Sequence, residues 1–285
     1  MKIVTVFPNR DKDKGLSCTR RAIDILKNYG AEIRLPAEFE RELADTGVTF
    51  APDESLYEGA NLAVAIGGDG TILRCARRAA ISGVSVIGIN LGRLGYLAEL
   101  EPNELELIVD VLDGKAEKEM RMMLSCDIYK KDGSVIRASH SLNDIVLTST
   151  GNTTRLIDVE LSLSGSDSLA VRFRGDGVVV STPTGSTAYS LAAGGPIVDP
   201  SLKGISIVPI CPHSLTSRPM IFSSDKKLKL INSGRENVNV SADGCEEYIL
   251  EPGEYIICTS SEYSSVFERL HESTFYEQLK KKMYE

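Results

Sequence analysis

Histidine is scarce in this chain. The three residues, His140, His213 and His271, stand at separations that match no metal-ligand spacing. The six cysteines (18, 75, 126, 211, 245 and 258) include no C-x-x-C pair and no zinc-like spacing. Reduced, unpaired thiols are the simplest account of them. No apolar run approaches the ~20 residues of a membrane helix. The opening MKIVTVFPNR enters strand-like sequence without the apolar region of a signal peptide. A soluble, cytoplasmic protein without a membrane partner is therefore expected. Basic charge is in deficit, with 32 Lys and Arg against 40 Asp and Glu and a net charge of −8. That balance argues against nucleic acid as a partner, because such proteins need a basic face. Three enzyme signatures are also missing: G-x-G-x-x-G, G-x-x-x-x-G-K-[ST] and G-x-S-x-G. The usual dinucleotide dehydrogenase, the P-loop enzyme and the serine hydrolase each lose their anchor.

What is present is ordinary in bulk and distinctive in pattern. The 285 residues, 42% hydrophobic and 25% charged, suit a globular protein of one large or two ordinary domains. Up to about residue 120, strands and helices alternate. Ile3-Phe7, Ile33-Leu35, Leu62-Ile66 and Val84-Asn90 read as strands. Ala22, Ile23, Leu26 and Tyr29 share a helix face capped by Gly30, and a second helix covers Thr71-Ser82. The stretch from Pro36 to Gly59 lacks clear periodicity and reads as including a mobile loop. A further helix is expected from Asn103, with Glu106 in a capping arrangement and Gly114 at its end. This order predicts a parallel sheet covered by helices.

Beyond about residue 122 the period becomes two. Lys131-Asp132-Gly133-Ser134 is a hairpin signal, and short strands recur at 145–148, 159–163, 171–173, 178–181, 205–209, 228–231, 238–241 and 255–258. A β-sandwich follows from that pattern. The terminal stretch 274–283, with Thr274 and Glu277 as a capping box, reads as a helix returning to the first domain. The expected fold is a Rossmann-like α/β domain, 1–122 plus 266–285, carrying the GGDG motif, and a β-sandwich dinucleotide-binding domain, 123–265.

Gly67-Gly68-Asp69-Gly70-Thr71 follows the apolar run Leu62 to Ile66 and opens a helix. It thus sits at the carboxyl end of a parallel strand, where open α/β sheets bind ligands. Glycines at 67, 68 and 70 let a polyphosphate approach the backbone. A carboxylate among phosphate-binding amides repels such a ligand, so Asp69 points to proton removal or metal binding, the chemistry of a kinase. Arg74, Arg77, Arg78 and Arg93 are candidates for the local basic cluster an anionic substrate needs.

A second constellation runs from Ser181 to Ser190, STPTGSTAYS, followed by Gly194-Gly195-Pro196. Hydroxyls at 182, 184, 186, 187 and 190 suit phosphate or ribose oxygens, and Tyr189 suits a ring. Upstream, Asn143-Asp144 is suited to a purine edge and a ribose diol if the backbone twists there. On its own the pair is equally a turn, and Arg174-Gly175-Asp176-Gly177 is a β-turn by default.

Together these segments, with Leu142-Asn143-Asp144, Asp176-Gly177, Gly194-Gly195-Pro196-Ile197 and Pro212-His213-Ser214-Leu215, resemble the NAD kinase family along nearly the whole chain. The first motif is shared with diacylglycerol-type lipid kinases and, loosely, phosphofructokinases; the Thr-Pro-Thr-Gly block is the specific one. The resemblance implies an enzyme that uses ATP or polyphosphate, with Mg²⁺ or another divalent metal, to phosphorylate the 2′-hydroxyl of the adenosine ribose of NAD, giving NADP. It also implies a homodimer or homotetramer. Position by position, Asp69 matches the catalytic base and Gly70 a close backbone contact, with Arg74 nearby. Asn143 and Asp144 match the pair holding the adenosine half, where many bacterial members carry glutamate at the position of Asp144. Arg155 and Arg174 match variable basic positions. Asp176 matches a contact to the nicotinamide end of a dinucleotide bound by a neighbouring subunit. Thr187, Ala188, Tyr189, Ser190, Leu191 and Ala192 match a stretch wrapping adenine and ribose. Some members carry glutamine at the position of Cys245, which leaves that residue unassigned. Two other classes stay open: a lipid kinase, disfavoured by the lack of an amphipathic membrane-facing helix, and a non-catalytic dinucleotide sensor, disfavoured by an intact Asp69.

Overall fold

The structure, a computed structural model, describes residues 1–92, 95–151, 156–272 and 275–284. The chain forms two compact units, Met1–Met120 with Ser264–Glu285, and Arg121–Tyr263.

In the first unit the apolar run Leu62–Gly67 is buried at every position, as a strand covered on both faces must be. It pairs in parallel with Ile3–Pro8 on one side and Val86–Asn90 on the other. Glu32–Pro36 and Thr49–Ala51 continue the sheet beyond Ile3–Pro8, also in parallel. Numbered along the chain from Ile3–Pro8 to Val86–Asn90, these five strands lie in the order 3-2-1-4-5. The order reverses between Ile3–Pro8 and Leu62–Gly67, and the carboxyl ends of those strands define the crevice where doubly wound sheets bind ligands. Helix Ser17–Tyr29 buries Ala22, Ile23 and Leu26, and Gly30 closes it in the left-handed conformation at φ +85°. Helix Asp69–Ile81 buries Ile72, Cys75, Ala76 and Ala79. The terminal helix Phe275–Tyr284 belongs to this unit, with Phe275 against Tyr96 at 6.2 Å between ring centroids. The expected capping residue Thr274 lies outside the described residues.

One expectation for this unit is corrected, and one unreadable stretch resolves into elements. The stretch 36–59 holds the helical turns Ala37–Phe39, Glu40–Leu43 and Ala44–Thr46, then the strand Thr49–Ala51 and a run of turns. Phe39, Leu43, Leu56 and Tyr57 anchor it in the core at irregular spacing, which hides the periodicity. The helix before Gly114 starts earlier than Asn103. Glu101 and Glu104 form its capping box around Pro102, a 3₁₀ stretch Pro102–Leu107 precedes the α-helix Ile108–Leu112, and Glu106 pairs with Arg21 instead.

The second unit is two sheets face to face. One is antiparallel in the order Met220–Ser223, Gly204–Ile210, Gly177–Ser181, Asp144–Ser149, Val238–Ala242, Cys245–Leu250. The other is built on Ser166–Gly175, Ile157–Leu163, Leu228–Asn232 and Val135–Ser141, with those parts of the strands Tyr255–Arg269 and Glu117–Tyr129 that lie within 121–263. Ile145, Leu147, Val178 and Val180 from the first sheet share a core with Leu161, Leu228, Leu230 and Ile256 from the second. Alternation turns Val146 and Val179 to the opposite face, where Val208, Ile210 and Ala193 join them. Arg174-Gly175-Asp176-Gly177 is not a turn. Asp176 links two strands in different sheets, and neither glycine has a positive φ. A Cβ on Gly175 would come within 2.6 Å of the Ile210 carbonyl oxygen, and one on Gly177 within 2.5 Å of that of Leu147. Close backbone approach, not turn geometry, accounts for these glycines.

Candidate functional site

One candidate site stands at the sheet reversal of the first unit. Gly68, extended at φ −94° and ψ −179°, caps helix Asp69–Ile81, so Asp69 is its first residue. The partial positive charge of a helix start favours a carboxylate there. The carboxylate accepts two backbone N–H bonds, from Tyr96 to Oδ2 at 2.8 Å and from Leu97 to Oδ1 at 3.2 Å. Lys282 of the terminal helix adds an ion pair at 3.7 Å. Gly95 makes the close fit possible, because a Cβ there would overlap Asp69 Oδ1. Across the reversal Asn9, just past the first strand, donates from Nδ2 to Thr71 Oγ1 at 2.7 Å.

The three motif glycines have different reasons. A Cβ on Gly67 would lie 2.5 Å from Thr71 Oγ1, so this glycine lets the helix seat against its strand. A Cβ on Gly68 or Gly70 would meet nothing within 4 Å, and neither residue has a positive φ. Neither packing nor conformation demands glycine at 68 or 70. Arg74 is exposed one turn on, its guanidinium 5.8 Å from the Phe7 ring centroid, and Arg78 pairs with Asp53 at 3.0 Å. Arg93 lies outside the described residues.

A second candidate site, within the second unit, is built on Asn143 and Asp144. Asp144 opens a strand, opposite Ser181 in the register. Thr182 ties the next segment onto this pair: its N–H donates to the Asn143 carbonyl at 2.9 Å and its hydroxyl to that of Leu142 at 2.6 Å. Gly185 has no room for a Cβ against the Asn143 backbone. Thr182 and Ser186 are fully buried, and their hydroxyls serve the fold: Thr182 also accepts from the Gly185 N–H, and Ser186 donates to the Pro183 carbonyl at 2.6 Å. These two hydroxyls are scaffold, which corrects the expectation that they face a ligand. Thr187, Ala188 and Leu191 are half-buried, Tyr189 and Ala192 exposed, and Ser190 buried with its hydroxyl unpartnered.

Asp144 is the unusual member. It is buried, and its carboxylate makes no hydrogen bond among the described residues. Burial, with the negative charge of Asp243 adding to it, pushes this carboxyl up to about 7. The Asn143 side-chain amide is likewise uncommitted. Asp243 is the residue that sequence reasoning missed. Its carboxylate accepts the N–H groups of Leu142 and Asn143, both at 2.8 Å, and of Asp144 at 3.2 Å. With Gly244 it forms a two-residue hairpin, at φ +49° and +77°. The Asp-Gly dipeptide between alternating apolar residues was the available signal.

Arg174 and Asp176 lie elsewhere in the second unit. The strand Gly177–Ser181 has Asp176 before its first residue and Thr182 after its last. Five extended residues span roughly 17 Å, so Asp176 and Asp144 do not meet within this unit. Arg174 pairs with Asp158 at 3.8 Å and lines a cleft of about 720 Å³ with Arg172 and Arg235. Arg155 lies outside the described residues.

Residues 9–115 match the ATP-NAD kinase N-terminal domain and residues 142–270 the ATP-NAD kinase C-terminal domain. The chain is 38% identical to an NAD kinase of Ruminiclostridium cellulolyticum, over 100% of this chain and 99% of that protein. An NAD kinase of Acetivibrio thermocellus is 35% identical, over 99% and 97%. Among solved structures, a yeast NADH kinase complexed with NADH superposes with a TM-score of 0.89 at 26% identity, covering 98% of this chain and 86% of that one. An Archaeoglobus fulgidus NAD kinase in complex with ATP gives 0.70 at 29%, covering 94% and 93%. The fold and these likenesses define a two-domain phosphotransferase, an α/β domain followed by a sheet-rich one. More narrowly, the chain belongs to the ATP-dependent NAD kinase family.

Proposed function

We propose that this chain transfers the γ-phosphoryl of ATP to the 2′-hydroxyl of the adenosine ribose of NAD, forming NADP. The observation that carries the assignment is Asp69, held by two backbone amides at the sheet reversal, between glycines that packing and conformation leave unexplained. Glycine at 68 and 70 makes sense if another molecule occupies that space. Asp69 accepts the ribose hydroxyl proton as the 2′-oxygen bonds to the γ-phosphorus. The bond from that phosphorus to the β–γ bridging oxygen breaks, and ADP leaves with the electron pair. The transition state of such transfers is loose, so positioning and charge neutralisation dominate. Gly70 and Arg74 serve the phosphates.

The second unit is proposed as the dinucleotide-binding domain. Asn143 and Asp144 hold the adenosine half, and 187–192 border adenine and ribose. Asp176, about a strand length from Asp144, serves the nicotinamide end of a dinucleotide in a neighbouring copy, and Arg174 and Arg155 are assigned near the ligand by resemblance alone. A homodimer or homotetramer follows. Among the described residues no group of three or more His, Cys, Asp or Glu side chains is placed to hold a metal ion. A divalent cation, Mg²⁺ by expectation, would arrive on the triphosphate as part of the substrate. Polyphosphate offers the same phosphoanhydride and is the alternative donor. ATP and NAD as co-substrates support action in the cytoplasm; no described helix is long and apolar enough to cross a membrane.

Incubation with ATP, Mg²⁺ and either NAD or diacylglycerol tests the assignment. NADP forms with the first acceptor and no phosphatidate with the second; the reverse outcome makes the chain a lipid kinase, and neither product makes it a sensor.

The state of Asp144 adds a pH dependence. An ionised carboxylate accepts from ribose hydroxyls, whereas the protonated acid blocks one acceptor site. With a carboxyl near 7, NAD affinity is expected to fall about tenfold from pH 8 to pH 6, and Asp144→Asn to flatten the profile. Isothermal titration with NAD alone checks this free of ATP's own ionisation; flat wild-type affinity removes Asp144 from the contact. Stability moves oppositely. The folded carboxyl holds its proton above the unfolded value of about 4, so this group's contribution falls as pH rises from about 4 to about 7.

A further inference from the structure

Lys282, in the last turn of Phe275–Tyr284, places Nζ 3.7 Å from Asp69 Oδ2, with its side chain only 25% exposed. The same ammonium lies 3.8 Å from the centroid of the Tyr96 ring. Tyr96 thus holds both charges, the carboxylate through its backbone N–H and the lysine through its ring. Phe275, a helix length away, packs on Tyr96 as well, so the helix is fixed to the loop beside Asp69 near both of its ends. A lysine in a final helical turn ordinarily faces water or its own terminal carbonyls. Lys282 instead reaches across to the carboxylate of the sheet reversal.

A triphosphate beside Asp69 brings like charge against a base that must stay ionised, in a chain of net charge −8. Coulomb repulsion at such range is large where water is excluded, and a cation placed between the two relieves it. We propose that Lys282 contacts the transferred phosphoryl group, its ammonium moving from Asp69 to the γ-phosphoryl oxygens as ATP binds. The exchange leaves the carboxylate free for the hydroxyl proton. This role rests on the assignment of Asp69 as base.

The test uses the full-length chain with Lys282→Met, Lys282→Arg and Asp69→Asn, varying MgATP at saturating NAD. Lys282→Met is expected to lose about 10²-fold in kcat/KM for ATP with NAD affinity and melting temperature unchanged. Lys282→Arg is expected to recover most of that loss, since it restores the charge. Lys282→Met within about twofold of wild type, or with a raised kcat, overturns the proposal; a raised kcat would make the ion pair a restraint on Asp69 only. Equal losses in Lys282→Met and Lys282→Arg, with lowered melting, overturn it in favour of simple helix docking. An active Asp69→Asn removes the base assignment itself, whereas an inactive one beside a normal Lys282→Met removes only the lysine.

Discussion

Replacement of Asp69 by asparagine is expected to lower kcat by about 10²–10⁴-fold, the range of a lost general base, while NAD affinity stays near wild type. The substitution is isosteric but not silent. The carboxylate accepts N–H bonds on both oxygens, from Tyr96 and Leu97. An asparagine accepts on one side only and turns an N–H₂ group toward a second donor on the other. It also removes negative charge from a helix start, a loss of about 0.3–1 kcal/mol. A melting point lowered by a few degrees is therefore expected alongside the kinetic defect. Assay well below that melting point, with NAD binding measured separately, keeps the two apart. Wild-type turnover in Asp69→Asn would show that the 2′-hydroxyl needs no base at this position. Asp69→Glu offers no cleaner probe, because Gly95 already touches the shorter side chain.

The parts of this site written into local sequence are those with a local cause. Leu62–Gly67 is an unbroken apolar run because both faces of the strand are covered, and the glycines after it stand where a strand meets a helix. Gly30 caps Ser17–Tyr29 at φ +85°, a conformation other residues resist. The strands Met220–Ser223 and Cys245–Leu250 left no comparable mark. They close the two edges of their sheet, and Met220–Ser223 alternates half-buried and exposed residues without a buried stripe. Tyr255–Arg269 extends eleven residues beyond the expected Cys258, through Thr259-Ser260-Ser261-Glu262, whose polarity reads as a break. Pairing with Glu117–Tyr129 continues it, and that partner is distant in sequence. The cradle of Asp69 is invisible for the same reason: its donors stand 27 and 28 residues away and its lysine farther still. Glu99 is a further case, accepting from the Leu270 and His271 N–H groups and the Arg269 guanidinium, contacts that only the folded first unit creates.

Asp243→Ala is the second change with a large expected effect. Three backbone N–H groups, of Leu142, Asn143 and Asp144, lose their acceptor at once, and an unpaired amide costs about 1–3 kcal/mol where it is fully buried. Alanine at φ +49° adds about 1 kcal/mol of left-handed strain that aspartate tolerates better. Because these amides are partly solvated and the loop can relax, a net destabilisation of about 3 kcal/mol is expected. Asp243→Asn keeps the turn and one acceptor oxygen, so roughly half that loss is expected. Function responds through geometry and charge in opposite senses. Without the three bonds, Asn143 and Asp144 are no longer held in register, and NAD affinity should fall by tenfold or more, about 1.4 kcal/mol. Without the neighbouring negative charge, the Asp144 carboxyl returns toward its ordinary range, so whatever NAD binding survives should persist to lower pH than in wild type. Thermal melts and NAD titrations at pH 6 and 8 on both variants separate these effects. An Asp243→Ala protein with wild-type melting and wild-type NAD affinity would mean that water or a shifted loop satisfies the three amides, and that Asp243 does not organise the site.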